Sequence, residues 1–323
     1  MTLSEMTHRD VPQALALWNA HRGDVGFPYD ELGEKAFQSL FIDNGSRTVK
    51  VEEGGIMTGF CSAYSKTEYL NGEDYDNTPL YLTITLADDD EAGDMLVEDV
   101  VSYARSVGKR SIAATYRNPV MLPWSMRDGN GVYHHNNAPG VPVGSIWQSL
   151  LERHGFDVCR LECGLYYPLA GYSIPPHVLD IEKALSADGI GVVMYDRSRH
   201  HGFDELFDAL HGEVWRRTIE DNGRLASPLP VLVAVHDDLI IGFAGPIACE
   251  ENGRGWFNGV AVHPDWQRRG IARVLFSRLL GVFHDIGAGY STIFTDEGNP
   301  ALHLYESIGF RTGGRFAVME RMV

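Results

Sequence analysis

Residues 260–272 read Val-Ala-Val-His-Pro-Asp-Trp-Gln-Arg-Arg-Gly-Ile-Ala and place a strand end directly before a helix start. The apolar residues up to Val262 are typical of a buried strand, and Pro264 lacks the backbone donor that a continuing strand needs. A helical pattern of apolar residues follows, up to Ile286. Because Gly270 has no side chain, another molecule can approach the backbone at this helix N-terminus. Exposed amides there favour an anion, so the stretch predicts a site for a phosphate-bearing ligand.

A second stretch lies downstream, where residues 299–310 read Asn-Pro-Ala-Leu-His-Leu-Tyr-Glu-Ser-Ile-Gly-Phe. It follows a strand-like segment, Tyr290–Thr295, and indicates a short helix that ends at a glycine. The chain has no P-loop lysine motif and no GxGxxG after the first strand of a dinucleotide fold. Sites for a nucleoside triphosphate or a dinucleotide are therefore not supported.

Both stretches resemble the signature of the GNAT superfamily of acyl-CoA-dependent N-acetyltransferases. The pyrophosphate loop of that family has the pattern Q/R-x-x-G-x-G/A, which Gln267, Gly270 and Ala272 satisfy. Residues 299–310 are similar to the family's second motif of Asn, Ala, Leu-Tyr-Glu and Gly-Phe. The resemblance covers roughly residues 189–323.

The resemblance implies acetyl-CoA as co-substrate, with no metal. The backbone of the strand end would pair with the pantetheine arm, the loop amides would hold the pyrophosphate, and an asparagine would contact the arm. Tyr305 would be the catalytic general acid toward the departing thiolate, since a phenol with a pKa near ~10 suits a thiol of about 8.5. The implied positions for binding acetyl-CoA are Val260, Ala261, Val262, Gln267, Arg268, Arg269, Gly270, Ile271, Ala272 and Asn299.

The general base is not assigned. Many members of the family carry a carboxylate near the start of the strand before the loop, but residues 256–259 read Trp-Phe-Asn-Gly. Either a more distant acid acts through water or the amine arrives partly neutral. Glu213, Asp296 and Glu297 are candidates.

The first half of the chain resembles the family only in layout. Its strand and helix patterns follow the same order as those of the second half, and both halves place Asn-Pro after a strand, at Asn118 and Asn299. Both also end a helix on Gly-Phe, at Gly155 and Gly309. These correspondences indicate an internal duplication.

The predicted fold class is mixed α/β, with two tandem GNAT-like domains, each a twisted, largely antiparallel sheet flanked by helices. Two consecutive prolines mark the boundary between the domains. The extra residues of the first half have loop composition and favour a binding loop or a solvent-exposed excursion. The predicted segments are a degenerate domain at 1–167 with an insertion at 120–143, a linker at 168–189, and an acetyl-CoA-binding domain at 190–323.

The first copy departs from the motif where the second copy meets it. The matching loop, residues 88–93, reads Asp-Asp-Asp-Glu-Ala-Gly, and its carboxylates would repel a diphosphate or serve as a helix cap. Counted back from Gly155, the position that matches Tyr305 is Leu151. We therefore expect the first copy to have lost CoA binding and to wall the acceptor site.

Composition narrows the partners. The 323 residues hold 44 acidic and 27 basic side chains, a net charge of −17, which opposes nucleic-acid binding and leans toward a cationic small molecule. No apolar run predicts a membrane span, and the acidic start of the chain does not resemble a signal peptide. Four cysteines without disulfide or metal spacing favour reduced thiols and a cytoplasmic location. An oligomer is left open.

The predicted function is transfer of an acetyl group from acetyl-CoA to an amine of a small cationic acceptor, by direct attack in a ternary complex. A peptide α-amine, an aminoglycoside-like polyamine and a cysteinyl precursor of mycothiol are alternative acceptors. A non-catalytic acyl-CoA-binding or regulatory protein is the alternative from another class, because the base is missing and the first copy is degenerate.

Overall fold

The computed structural model describes residues 1–23, 26–65 and 78–323, and these divide into two compact units. Unit 1 comprises Met1–Leu165, Ile293–Leu302 and Thr312–Val323, and unit 2 comprises Tyr166–Thr292 and His303–Arg311. The last strand of the chain thus groups with the first half of the sequence. Among the helices of these ranges, none is both long and apolar enough to cross a lipid bilayer.

Unit 1 is a mixed, largely antiparallel sheet flanked by helices. Its elements are β1 (Thr2–Glu5), α1 (Val11–Ala20), α2 (Glu34–Phe41), β2 (Arg47–Glu53), β3 (Ile56–Tyr64), β4 (Leu80–Ala87), α3 (Asp90–Ser106), β5 (Ser111–Ala114), β6 (Trp124–Asp128), β7 (Gly131–His135), β8 (Val141–Pro142), α4 (Ile146–Arg153) and the greater part of β9 (Asp157–Pro168) and of the last strand, β15 (Arg311–Met322). The strand order is β1-β2-β3-β4-β5-β15-β9, and β4 and β5 are parallel. An aromatic cluster of Trp18, Phe37, Phe41 and Phe60, all fully buried, packs α1 and α2 against β3.

The composition of the insertion at residues 120–143 indicated a loop. The structure shows instead that the insertion is built around a β-hairpin. Strands β6 and β7 pair antiparallel, and Asp128 accepts hydrogen bonds from the amides of Asn130 and Gly131, at 2.8 and 3.0 Å, which close the turn. Trp124 is fully buried, and its ring centroid lies 4.6 Å from that of Phe316. The prediction was wrong because asparagine, aspartate and glycine serve tight hairpin turns as well as long loops.

Unit 2 is also a mixed sheet flanked by helices. Its elements are α5 (Pro176–Ala187), β10 (Ile190–Met194), α6 (Phe203–Leu210), α7 (Glu213–Arg224), β11 (Leu232–His236), β12 (Leu239–Cys249), β13 (Arg254–Val262), α8 (Ile271–Asp285) and parts of β14 (Tyr290–Asp296) and α9 (Ala301–Ile308). The strand order is β14-β13-β12-β11-β10, with only the β13–β14 pair parallel among these strands. Each unit is thus a mixed, largely antiparallel sheet flanked by helices, which confirms the predicted α/β fold class.

The segment 168–189, expected as a linker, contains helix α5. Pro176 occupies the first turn of that helix, where a missing N–H costs nothing, so the two prolines start a helix rather than interrupt the structure. The helix is held in unit 2 by a two-pronged ion pair, in which Arg278 of α8 donates to Glu182 at 2.8 and 2.6 Å.

Candidate active site

Strand β13 positions the first group of predicted residues, Val260–Val262. It pairs antiparallel with β12 up to Val262. Its parallel pairing with β14 comprises, in the described chain, Arg254 with Tyr290 and Gly255 with Ser291. Beyond Gly255 the two strands diverge, and the backbone edge of β13 that faces β14 lacks a parallel partner. An extended ligand arm can add hydrogen bonds along such an edge.

The loop from β13 to α8 is eight residues long, from His263 to Gly270. The Gln267 side chain donates to the carbonyl oxygen of Val262 at 3.0 Å and ties the loop back to the strand. Arg268 adopts a positive φ of 62°. Gly270 adopts a φ of 87°, and a Cβ there would lie 2.6 Å from Cγ2 of Ile181. Only glycine meets both conditions without strain, so this position is set by backbone geometry and by packing.

The N-terminus of α8 is arranged for an anion. Gly270 is its N-cap and supplies no side-chain hydrogen bond, so the first-turn amides have neither an intrahelical nor a capping acceptor. The Nε atom of Arg273 is buried without a hydrogen-bond partner in the described residues, although its Nη2 donates to Ser307 at 3.3 Å. The guanidinium of Arg269 lies 4.9 Å from the Trp266 ring centroid. These donors fit the diphosphate of a CoA ester.

Tyr305 lies on α9 in the same unit as this loop. Its ring is half-buried against Phe276 of α8, with centroids 5.0 Å apart, and 6.1 Å from Phe310. Burial raises the pKa of the Tyr305 hydroxyl above its ordinary value of 10.0. The phenol therefore keeps its proton at neutral pH and is able to donate it.

Asn299 lies in Ile293–Leu302, the segment that groups with unit 1. Its side chain accepts from the amide of Ala301 at 2.9 Å, and its Nδ2 donates to Thr295 at 3.0 Å. These local bonds start helix α9. Tyr305 and the loop thus belong to unit 2, whereas Asn299 belongs to unit 1.

The three carboxylates considered as bases all have partners. In unit 2, Glu213 accepts from Arg216 and Arg217, each at 3.2 Å. In unit 1, Glu297 accepts hydrogen bonds from Nε and Nη2 of Arg315, and these bonds lower the pKa of Glu297 below its ordinary value. Asp296 accepts from the amide of Gly298 at 2.6 Å. None of them is an unpaired base, so the base stays unassigned.

One titratable group escaped the sequence reasoning. Glu162 of β9, in unit 1, is 3% exposed, and burial raises its pKa to about 7, partly offset by Arg160 at 3.0 Å. Its strand holds no motif. The only signal is its place just before the buried run from Cys163 to Tyr166, where a strand position faces the interior.

The first copy repeats the strand geometry but not the loop. Parallel pairing of β4 with β5 comprises Leu80 with Ile112 and Tyr81 with Ala113, so it also spans two positions in the described residues. The sequence predicted a loop at residues 88–93, with a helix cap as the alternative. The structure has a connection of only two residues between β4 and α3, and residues 90–93 form the first helical turn.

In that copy the helix N-terminus is already capped. The carboxylate of Asp89, at the N-cap, accepts from the amide of Ala92 at 2.8 Å. An acid in this position satisfies an amide that a phosphate would otherwise take. Leu151, the counterpart of Tyr305, is fully buried and carries no proton donor.

Comparisons with known proteins agree with this geometry. The acetyltransferase (GNAT) domain family matches residues 228–312. A mycothiol acetyltransferase of Thermobifida fusca (strain YX) is 46% identical over 52 residues, 16% of each chain. An L-amino acid N-acyltransferase of Escherichia coli (strain K12), MnaT, is 31% identical over 109 residues, which cover 30% of this chain and 63% of the relative. The chain thus spans less than two thirds of either curated relative.

The fold of the whole chain has a counterpart among solved structures. A tandem GNAT protein from the clavulanic acid biosynthesis pathway superposes with a TM-score of 0.58 at 13% identity, over 99% of this chain and 98% of that one. Residues 228–312 thus match the acetyltransferase (GNAT) domain family, and the fold of the whole chain is that of two GNAT-like domains in tandem.

Proposed function

We propose that the second half binds acetyl-CoA and transfers its acetyl group to an amine of a small, cationic acceptor by direct attack in a ternary complex. The observation that carries the proposal is the uncapped N-terminus of α8, which follows a strand edge without a parallel partner. In unit 1, which has the same fold, the corresponding helix end is capped by its own carboxylate.

Each part of the site has a role in binding. The amides of residues 268–272 hold the pyrophosphate, and the edge of Val260–Val262 hydrogen-bonds the pantetheine arm. Gln267 keeps the loop in place through its bond to the strand. Acetyl-CoA, when bound, supplies a thioester carbonyl carbon that a nitrogen can attack.

The transfer forms a carbon–nitrogen bond and breaks the carbon–sulfur bond. The departing sulfur takes a proton from the Tyr305 hydroxyl, which burial keeps protonated. The ammonium nitrogen loses one proton before the attack, either through water to a carboxylate outside the loop or to solvent. It loses a second proton as the amide forms, and this proton restores the Tyr305 hydroxyl. Products are an acetylated amine and free CoA thiol.

The proposed class of acceptor rests on the net charge of the chain and on the names of its curated relatives. The net charge of −17 favours a cation, and the two curated relatives are named as acetyl or acyl transferases that act on mycothiol chemistry and on L-amino acids. The net charge and the names of the two relatives are both compatible with a small amine acceptor. A cytoplasmic location stays a prediction from cysteine usage.

The test is the variant Tyr305→Phe, assayed by thiol release against pools of amines and by calorimetry with acetyl-CoA. Loss of a general acid lowers turnover by about 100-fold, while affinity for acetyl-CoA stays within about twofold. Tyr195→Phe, in the same unit and packed on Phe203, is the matched control.

An unchanged turnover in the Tyr305 variant would contradict the role of that hydroxyl. Binding of acetyl-CoA without thiol release from any amine pool would favour a non-catalytic acyl-CoA-binding protein. That second candidate draws on the three carboxylates considered as bases, each of which already accepts a hydrogen bond from this chain.

A further inference from the structure

Unit 1 contains a cavity of about 320 Å³ at the place where the first copy would bind CoA. Its lining comes from the end of β4, the first turn of α3, the start of α4 and the segment after α1. Ile84, Leu86 and Leu150 give it apolar walls, and Asp88–Asp90 give it three carboxylates. None of its lining residues is a lysine or an arginine.

Aromatic rings form another part of the lining. The ring centroids of Phe27 and Tyr29 are 5.0 Å apart, and those of Tyr29 and Trp147 are 6.4 Å apart. The faces of such rings attract organic cations, most strongly where water is excluded. Aromatic rings with nearby carboxylates are a combination that suits an ammonium group with an apolar body.

Two residues of the lining each carry a buried polar atom without a partner. Tyr29 is 4% exposed and Trp147 is 7% exposed, and neither Oη of Tyr29 nor Nε1 of Trp147 has a hydrogen-bond partner within the described ranges. Such groups are rare because each lost hydrogen bond costs about 1–3 kcal/mol. An indole N–H only donates, so a ligand that satisfies it must carry an acceptor.

The charges around the cavity exclude a diphosphate. Asp89 caps α3 at the point where a phosphate would sit. Asp88 pairs with His21 at 3.1 Å, and Asp90 pairs with Arg153 at 2.9 Å, so the charge of these two acids is partly offset. The described lining still holds three acids and one histidine, so acids outnumber basic side chains. A CoA ester would bring negative charge to three acids, whereas a cation would gain from them.

We propose that this cavity binds a small organic ammonium compound that carries a hydrogen-bond acceptor, so that unit 1 takes a cation where unit 2 takes a phosphate. No bond is made or broken in unit 1, because its counterpart of Tyr305 is a buried leucine. The inference stands on unit 1 alone and does not depend on the proposed transfer.

The experiment measures binding of tyramine to the full chain by calorimetry. Tyrosol, which has a hydroxyl in place of the ammonium group, is the neutral control, and CoA is the competitor. We expect saturable binding of tyramine, at least about tenfold weaker binding of tyrosol, and no displacement of tyramine by CoA.

Variants locate the site. Asp89→Asn keeps a capping side chain but removes the charge, and Trp147→Phe keeps a ring but removes the N–H; each weakens tyramine binding by about three- to tenfold. Glu91→Gln removes the same charge from the same helical turn but outside the lining, and leaves binding unchanged. Thermal unfolding confirms that each variant is folded.

Three results would overturn the proposal: no saturable tyramine binding, equal affinities for tyramine and tyrosol, or equal losses in the Asp89 and Glu91 variants. Displacement by CoA would assign the cavity to a CoA ester instead. Each result is independent of thiol release by unit 2, so the two proposals fail separately.

Discussion

Two strand-to-helix connections in this protein start from the same geometry and end with opposite electrostatics. In each unit two parallel strands pair at two positions in the described residues. Unit 2 continues through eight residues to a helix that begins on Gly270 without a side-chain cap. Unit 1 continues through two residues to a helix that Asp89 caps. Whether a helix N-terminus is open to an anion therefore depends on the connection between strand and helix. The sheet only positions that connection.

The difference is the basis of the two ligand chemistries that we propose for one fold. A helix N-terminus attracts negative charge from whatever source is nearest. In unit 1 the chain supplies that charge itself, whereas in unit 2 Gly270 leaves the amides open and the arginines of the loop add positive charge. The remaining space in unit 1 is then acidic and aromatic.

The largest effect is expected from Gly270→Val. The new Cβ would meet Ile181 at 2.6 Å and would impose a φ of 87° on a β-branched residue, so the loop amides lose their arrangement. We expect CoA affinity to fall by at least about 1000-fold, or about 4 kcal/mol, in calorimetry.

Gly287→Val is the control for that variant. It has nearly the same φ, 85°, just beyond the other end of α8, with open space for the side chain. It should lower stability but keep CoA affinity. Undiminished CoA binding in the Gly270 variant would place the CoA site elsewhere.

A second prediction concerns the pH dependence of stability, to which Glu162 of unit 1 contributes and Tyr305 of unit 2 does not. Glu162 has a pKa of about 7 when folded and about 4.5 when unfolded, because burial disfavours its charged form. The contribution of Glu162 to stability is therefore full below about pH 4.5 and falls by about 2 to 3 kcal/mol as the pH rises to about 7. Tyr305, with its pKa above 10, adds nothing in this window.

Urea unfolding at several pH values checks this. Glu162→Gln is neutral at every pH and should remove most of the decline between pH 4.5 and 7, whereas Glu98→Gln, on the helix α3, should keep it. A decline of the same size in the Glu162 variant would show that another group is responsible.

The smallest effect is expected from Asp89→Ala. Loss of an N-cap destabilises a helix by about 1 kcal/mol, and Asp89→Asn, which still caps, should cost only a few tenths. Because the connection remains two residues long, neither variant should gain a CoA site. Calorimetry should show one CoA per chain in both, and two per chain would contradict the contrast between the units.

Local signals carried much of the fold. Periodic apolar residues predicted the strands and helices around residues 260–310, and Pro264 and Gly270 marked the ends of elements because of their backbone limits. The same signals misled where one residue type serves two roles. Residues 88–93 were taken for a loop with a helix cap as the alternative, and Asp89 is that cap, while Asp90 and Glu91 lie in the first turn. Prolines 175 and 176, taken for a domain boundary, begin a helix.

The sequence by itself determined the order of elements, the duplication and the glycine loop of the second half, because each depends on neighbours along the chain. Only the tertiary structure decided what packs on Gly270, which carboxylates are paired, and how far Glu162 is buried. It also showed that the last strand, β15, pairs with β5 of the first half. These outcomes depend on contacts between distant residues, which no local pattern of side chains records.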